Sequence, residues 1–455
     1  MFKKFVATGL PLVFLGVSAS CGEFSNSSTS PSEKIHRGEE RKEVSVETSG
    51  SGNVTKMDTA LFNVDGSVKL PEGAVIPNIP PISCAKQKSK RDLVASVYQD
   101  MLNRTPSAEE SAKADDPGFK YEDFVERMLS STAIEDTISK FVTNYFKLGS
   151  ITAGDKATAA EVQRANDLRL EPVVLIQKNK DKPWPWFWKT QDFYCTESTA
   201  SLYGLSRPGS YNFVECKLPP ERAGLLGLVS VLRAATGGTP TAFYMINNNY
   251  RRVRSLLKWT LGIDLQAATN GPSGSGEILP FADCVPTLDT RVQKNKDGSM
   301  GTIFGTAAVA LSGSTCSGCH SKYNGPLSIA FRRFGPNGEL LDFNSIDALK
   351  DNDLQGASKA FLKDILAEQN SCWNPDLSHP PKVFQGLTGL AQVISESNKF
   401  GEALGIQIPT ALGNIKADEN MSASIAKKYF EGGQTLKAAF SGFFLSDSYK
   451  CEVKN

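Results

Sequence analysis

The pentapeptide Cys316-Ser317-Gly318-Cys319-His320 constrains this chain more than any other stretch. C-x-x-C-H is the attachment pattern of a c-type haem. Two thiols three positions apart can each form a thioether with a porphyrin vinyl group. The histidine that follows then lies under the iron and donates a ring nitrogen. Ser317 and Gly318 place no bulk against the porphyrin edge. The same residues could instead form half of a zinc site or a redox or structural disulfide. Zinc needs two further ligands, and the sequence has no second C-x-x-C and no H-x-x-x-H. A thioredoxin-like site needs a βαβ setting, which the Gly-, Ser- and Ala-rich flanks do not suggest. Cysteine and histidine number only nine and three in 455 residues, which argues against a chance coincidence of all three. The expected cofactor is therefore one covalent haem c, attached at Cys316 and Cys319 with His320 as proximal iron ligand.

Such attachment happens outside the cytoplasm, so the chain should begin with an export signal. Lys3 and Lys4 form a basic start, and the apolar run from Phe5 to Val17 is too short for a stable bilayer anchor. Ser18-Ala19-Ser20 then precede Cys21. The pattern is that of a bacterial lipoprotein signal over 1–20, with lipidation at Cys21 and anchoring to a bacterial membrane on its periplasmic or outer-surface side. Ser18 stands where such signals usually carry leucine. The alternative is ordinary cleavage near Ser20 with Cys21 left as a thiol. Setting aside Cys21, Cys316 and Cys319 leaves Cys84, Cys195, Cys216, Cys284, Cys372 and Cys451. This even number suits an oxidising compartment and up to three disulfides. Cys195 and Cys216 are the nearest pair and flank one segment, which favours their pairing.

Residues 21–87 read as a disordered tether, because Ser, Thr, Gly, Lys and Glu dominate and cannot bury enough apolar surface to offset chain entropy. His36 lies there as a solvated bystander. The remainder reads as mainly α, a multi-helical body with a small cytochrome-c-like haem-binding segment embedded between helical domains. The expected partition is an N-terminal helical domain over 88–155, a middle helical domain over 156–290, a haem-attachment domain over 291–345 and a C-terminal helical domain over 346–455. Apolar stripes at helical spacing mark the helices: Leu93, Val94, Val97, Tyr98 and Met101; Ile134, Ile138, Phe141, Val142 and Tyr145; Leu387, Leu390, Val393 and Ile394; Phe440, Phe443 and Phe444. Phe361, Leu362, Ile365 and Leu366 mark a further one. Ser107 with Glu110 has the form of a capping box. Formal net charge is +1, and no basic stripe or nucleic-acid motif appears, so nucleic acid is not an expected partner.

Two stretches carry competing readings. Pro183-Trp184-Pro185-Trp186-Phe187-Trp188 is either a packed aromatic corner or an exposed binding row, and burial is the commoner fate of such residues. Arg251, Arg252 and Arg254 could meet haem propionates, since guanidinium matches carboxylate geometry; a solvated helix face with ion pairs is the commoner outcome. For the sixth iron position, His379 in a Pro-rich stretch and Met421 in a helical one are weak distal candidates, beside Met245, Met300 and an open site.

Four stretches resemble one family. LVASVYQDMLNRTPSAEE resembles an N-terminal helix pair. SLYGLSRPGSYNFVECKLPPERAGLLG matches a middle-domain signature at Tyr203, Gly204, Arg222, Gly224 and Leu225. CSGCHSKYNGPLSIAFRRFGPNGEL matches a haem-domain pattern at Cys316, Cys319, His320, Pro326, Phe334 and Gly338, and the helical segments near the C-terminus resemble the last domain. The chain is thus similar, over about 90–452, to exported bacterial, planctomycete cytochrome-like proteins built of consecutive domains of unknown function. Arg332 and Gly335 stand where that pattern has acidic residues. The resemblance implies architecture and a haem rather than a reaction.

Two functions remain open at this level. One is electron transfer, or the redox part of an extracytoplasmic enzyme, with an unidentified redox partner. The other is a surface binding or scaffold module in which the haem, or a zinc, is structural. No Ser-His-Asp set, H-E-x-x-H, P-loop or G-x-G-x-x-G names a second chemistry.

Overall fold

Local signals start the helices where the sequence places them. The Ser89 hydroxyl accepts the Asp92 N–H while the Asp92 carboxylate accepts the Ser89 N–H, a reciprocal cap that opens the Lys90–Leu102 helix. Asn103 ends it in the left-handed conformation, which asparagine tolerates. The expected box of Ser107 and Glu110 opens Ala108–Ala112, and an equivalent box of Thr158 and Glu161 opens the 20-residue helix Ala159–Lys178. The computed structural model describes residues 76–82, 84, 86–206, 209–237, 246–263, 292–294, 300–302, 325–335, 337–348, 370–373 and 382–451, with positions 359, 363, 367 and 375. All belong to the unit Lys56–Asn455. The fold is mainly α, and the described strands form three two-stranded antiparallel pairs. The helix expected around Phe361–Leu366 lies outside the described residues except at position 363.

The apolar stripes become one continuous core rather than separate ones for each segment. The Ala133–Tyr145 helix packs on Lys90–Leu102 and on Phe400–Gly413. The Leu436–Leu445 helix lies against both Glu419–Glu431 and Tyr121–Ser130. The segments expected as N-terminal and C-terminal domains therefore share one helical bundle. The reason is area: each amphipathic helix buries one face only, and helices of adjacent segments supply the complementary faces.

A disulfide between Cys84 and Cys451 joins residues 367 apart in the sequence. Beside it the Lys88 N–H donates to the Lys450 carbonyl at 2.8 Å, and Gln87 bridges Cys451. The last residues of the stretch expected as tether are thus part of the folded body. The pairing expected for Cys195 and Cys216 is present and staples the hairpin of Asp192–Cys195 with Val214–Lys217. Cys372, on the Asn370–Trp373 strand, is also disulfide-bonded. Its partner lies outside the described residues, because the other described cysteines pair with one another.

The tryptophan run is core. Trp184 and Trp188 are fully buried, with ring centroids 5.8 Å apart and edge-to-face. Trp184 meets Phe141 and Trp188 meets Phe400, which ties the run to the bundle. The Gly224–Gly227 helix then packs so tightly on this corner that only glycine fits its first position. Gly224 has φ +49°, and a Cβ there would lie 2.1 Å from the Trp188 carbonyl carbon and oxygen.

Candidate functional site

The motif Cys316-Ser317-Gly318-Cys319-His320 lies outside the described residues, as do Cys21 and His379. The structure does show what receives the chain on leaving the motif. Five residues after His320, the Gly325–Ser328 helix packs against the Ile246–Leu261 helix and the Asn370–Trp373 strand. The chain then passes through buried Ile329, Ala330 and Phe331 into a tight turn. Phe334 bridges Leu340, the Gly335 N–H donates to the Glu339 carbonyl at 2.9 Å, and the Gly338 N–H donates to the Gly335 carbonyl at 3.0 Å. Gly338 has φ +81°, and a Cβ there would press on Val229 at 3.1–3.2 Å, so the glycine is what lets this turn seat on the Val229–Ala234 helix.

Two buried arginines hold that turn. Arg252, 1% exposed, donates to the carbonyls of Phe334 at 2.7 Å, Gly335 at 2.5 Å and Leu232 at 3.3 Å, and to Asn249 Oδ1 at 3.2 Å. Arg222, also 1% exposed, donates to the carbonyls of Gly227 at 2.8 Å and Gly338 at 2.6 Å. Its guanidinium sits 5.0 Å over the Phe334 ring and 5.2 Å over the Tyr203 ring. Carbonyl dipoles thus hold both cations without a hydrogen-bonded carboxylate, two aromatic faces adding to those around Arg222, whose buried Nε has no hydrogen-bond partner. Burial pushes the Arg252 guanidinium down to about 9 and lowers that of Arg222, while the Glu339 charge works against burial at both. Both stay charged at neutral pH, because a guanidinium is the last side chain to give up its proton.

These positions correct the reading of the arginine run as a solvated face. Arg252 is inside, and its donors are committed to backbone carbonyls rather than available to propionates. Arg251 donates to the Thr236 carbonyl at 3.0 Å, and Arg254 is exposed. Arg332 is buried beside the same turn at 6% exposure.

Behind Arg222 lies a buried carboxyl. Glu171 is fully buried on the Ala159–Lys178 helix, and its Oε2 accepts a short hydrogen bond from the Tyr203 hydroxyl. The same hydroxyl accepts the Val229 N–H at 3.0 Å. Glu171 Oε1 has no hydrogen-bond partner. Burial drives the Glu171 carboxyl up to about 8, against the opposing effects of the Tyr203 hydrogen bond, the Thr199 hydroxyl and the Arg222 charge. One helical turn away, Asp167 Oδ2 accepts from Thr196 at 2.7 Å and from the Ser198 hydroxyl. The result is a continuous polar thread inside an apolar body. It runs from Glu171 through Tyr203 and Arg222 to Gly338 in the turn that follows the motif.

The sequence reading missed Glu171 and the joint role of Arg222 with Arg252. A signal existed for Glu171, which occupies the helical stripe between Leu168 and Leu175, both buried. Arg222 stood only among residues matching the family pattern. Met421, one of the distal-ligand candidates, sits in the first turn of Glu419–Glu431 at 3% exposure, packed as a core residue. Among the described residues no cluster of three His, Cys, Asp or Glu is placed to hold a metal ion, and no helix is long and apolar enough to cross a membrane. The two disulfides accord with an extracytoplasmic location. Set against known proteins, the chain matches no family model, no curated protein and no solved structure.

Proposed function

We propose that the protein is an exported, lipid-anchored carrier of one covalent c-type haem, acting in electron transfer or as the redox part of an extracytoplasmic enzyme. The observation that carries the reading is the C-x-x-C-H motif at Cys316, Cys319 and His320. The division of cysteines supports it. Five of the nine are taken up in disulfides: Cys84, Cys195, Cys216, Cys372 and Cys451. Cys21, Cys284, Cys316 and Cys319 remain, and one of these pairs with Cys372. With Cys21 lipidated and Cys284 paired with Cys372, two free thiols are left at the spacing that thioether attachment needs. The donor set of two thiols and an adjacent imidazole therefore fits a c-type haem.

In this reading Cys316 and Cys319 hold the porphyrin, and His320 presents a neutral imidazole nitrogen to the iron. The haem supplies one-electron chemistry when attached. The chain's own contribution is placement. Arg222 and Arg252 hold the turn at 334–338, and the Gly325–Ser328 helix anchors the exit of the motif on the Ile246–Leu261 helix.

The test is a visible spectrum of protein matured in a host that attaches haem c, before and after dithionite, paired with the mass of the denatured chain. A sharp reduced α-band and a mass increment of one haem establish the reading. A shift on adding carbon monoxide then separates an open sixth position from a closed one. A colourless protein of unmodified mass overturns it and points to the helical body as a surface binding or scaffold module, with zinc analysis as the next measurement.

A further inference from the structure

We propose that Asn337 is a latent deamidation site, and that the hold of Arg222 and Arg252 on its turn keeps the side-chain amide intact. The proposal stands on this turn alone and not on the haem reading. Asn337 is exposed, and Gly338 follows it. An asparagine before glycine readily closes on the next backbone nitrogen, because glycine has no Cβ to shield that nitrogen or restrict the backbone. In that reaction the Gly338 nitrogen gives up its proton to solvent and attacks the side-chain carbonyl carbon of Asn337. The new C–N bond closes a cyclic imide, and the side-chain nitrogen leaves as ammonia. Water then opens the ring at either carbonyl and leaves aspartate or isoaspartate at position 337. In sum a water is consumed and an ammonia released, with no change of oxidation state.

The folded turn opposes the first step. Ring closure needs a Gly338 nitrogen free of hydrogen bonding and a peptide unit free to rotate toward the side chain. Instead the Gly338 N–H donates to the Gly335 carbonyl at 3.0 Å, and the Asn337 N–H donates to Glu339 Oε2 at 2.8 Å. The Gly335 N–H donates to the Glu339 carbonyl at 2.9 Å, which closes the turn around Asn337. Gly338 is buried at φ +81° against Val229, so its peptide cannot swing without leaving that contact.

The two arginines fix the same backbone from inside. Arg252 holds the Phe334 and Gly335 carbonyls, before Asn337, and Arg222 holds the Gly338 carbonyl, after it. Both guanidiniums are buried, so water does not compete for these acceptors. The Asn337 side chain lies outside, where water reaches it and ammonia can leave once the turn opens. Isoaspartate carries the main chain through the former side chain and lengthens it by a methylene. The closed turn then cannot re-form, and the carbonyls that satisfy Arg222 and Arg252 are displaced. Either product also places a carboxylate beside Glu339. A transient opening of the turn is thereby converted into a permanent loosening.

The experiment follows position 337 by peptide mapping of the full disulfide-bonded chain held at mildly alkaline pH, folded and unfolded in urea, with aspartate and isoaspartate separated by chromatography. The folded wild type should convert about 100-fold more slowly than the unfolded chain, because three backbone hydrogen bonds of the turn must break together. Arg222→Lys and Arg252→Lys each remove charge-assisted bonds to the turn and should raise the folded rate about tenfold. Hydrogen exchange of the Gly338 amide should quicken in the same variants while core amides stay protected, which separates local opening from global unfolding. If the arginine variants do not fold, Glu339→Ala decides: it removes the acceptor of the Asn337 N–H from a half-buried turn position and should also raise the rate. A folded wild type that converts as fast as the unfolded chain overturns the inference, as does an unfolded chain that keeps its amide. So do folded variants no faster than the wild type, or faster only where core amides lose protection as well.

Discussion

Replacing both Cys84 and Cys451 with serine should destabilise the protein more than replacing both Cys195 and Cys216. The first pair joins residues 367 apart in sequence and the second joins residues 21 apart. In the chain-entropy account a cross-link stabilises by restricting the unfolded ensemble, and the effect grows with the logarithm of the closed loop. That gives about 6 kcal/mol for the long loop and about 3.5 kcal/mol for the short one, a difference of about 2.5 kcal/mol. The native contacts around Cys451 survive the change, because the Lys88–Lys450 backbone hydrogen bond and the Gln87–Cys451 bridge do not need the sulfur atoms. Replacing both members of each pair avoids a stray thiol. Urea unfolding of the wild type and of the two double variants, followed by circular dichroism, gives the free energies and the slopes. The long-loop variant should also show a steeper dependence on urea, since its unfolded chain is freer to expand. Equal losses in the two variants, or a larger loss at Cys195 and Cys216, would refute the loop-length reasoning and place the stabilisation in the folded state.

Three other outcomes are expected. Gly224→Ala places a methyl group 2.1 Å from the Trp188 carbonyl in a left-handed backbone and should cost about 4 kcal/mol or more, whereas Gly154→Ala, also left-handed but with open space around it, should cost about 1–2 kcal/mol; thermal unfolding compares them. The Glu171 carboxyl binds its proton more tightly folded, at about 8, than unfolded, at the ordinary 4.5, so its contribution is fully present below about pH 4.5 and is lost as pH rises through about 8. At about 1.4 kcal/mol per pH decade, the whole contribution is about 5 kcal/mol, of which about 4 kcal/mol is lost between pH 5 and pH 9, and urea titrations at those two pH values should show it in the wild type but not in Glu171→Gln. Peptide mapping of the non-reduced protein should recover Cys372 joined to Cys284; recovery joined to Cys316 or Cys319 would remove the thiols that haem attachment requires.

Much of the fold was legible because it is written locally. A capping box spans four residues, so Ser107 with Glu110 could be read directly, and the stripes through Leu93–Met101 and Ile134–Tyr145 fall at helical spacing within one element. Cys195 and Cys216 were legible as a pair because they are close along the chain. The β-hairpins were less so: the strand Val214–Lys217 alternates half-buried and exposed residues over only four positions, too few to stand out from a loop. The tryptophan run showed large apolar area, while its burial depended on Phe141 and Phe400, far away in sequence.

By itself the sequence determined the helical class, the caps, the nearest disulfide and the chemical proposal at Cys316, Cys319 and His320, all of them properties of residues within a few turns of one another. Only the tertiary structure decided that Cys84 and Cys451, 367 positions apart, are joined. Only it decided that helices from both ends share one core, and that Arg222 and Arg252 are interior clamps rather than surface charges. An arginine is solvated or buried according to what can satisfy its donors. For Arg222 and Arg252 the partners that do so include the carbonyls of Gly338, Phe334 and Gly335, which lie 116, 82 and 83 positions away along the chain. Glu171 follows the same rule: its place on an apolar stripe was visible, but its proton affinity is set by burial and by Tyr203 and Arg222, which only folding brings beside it.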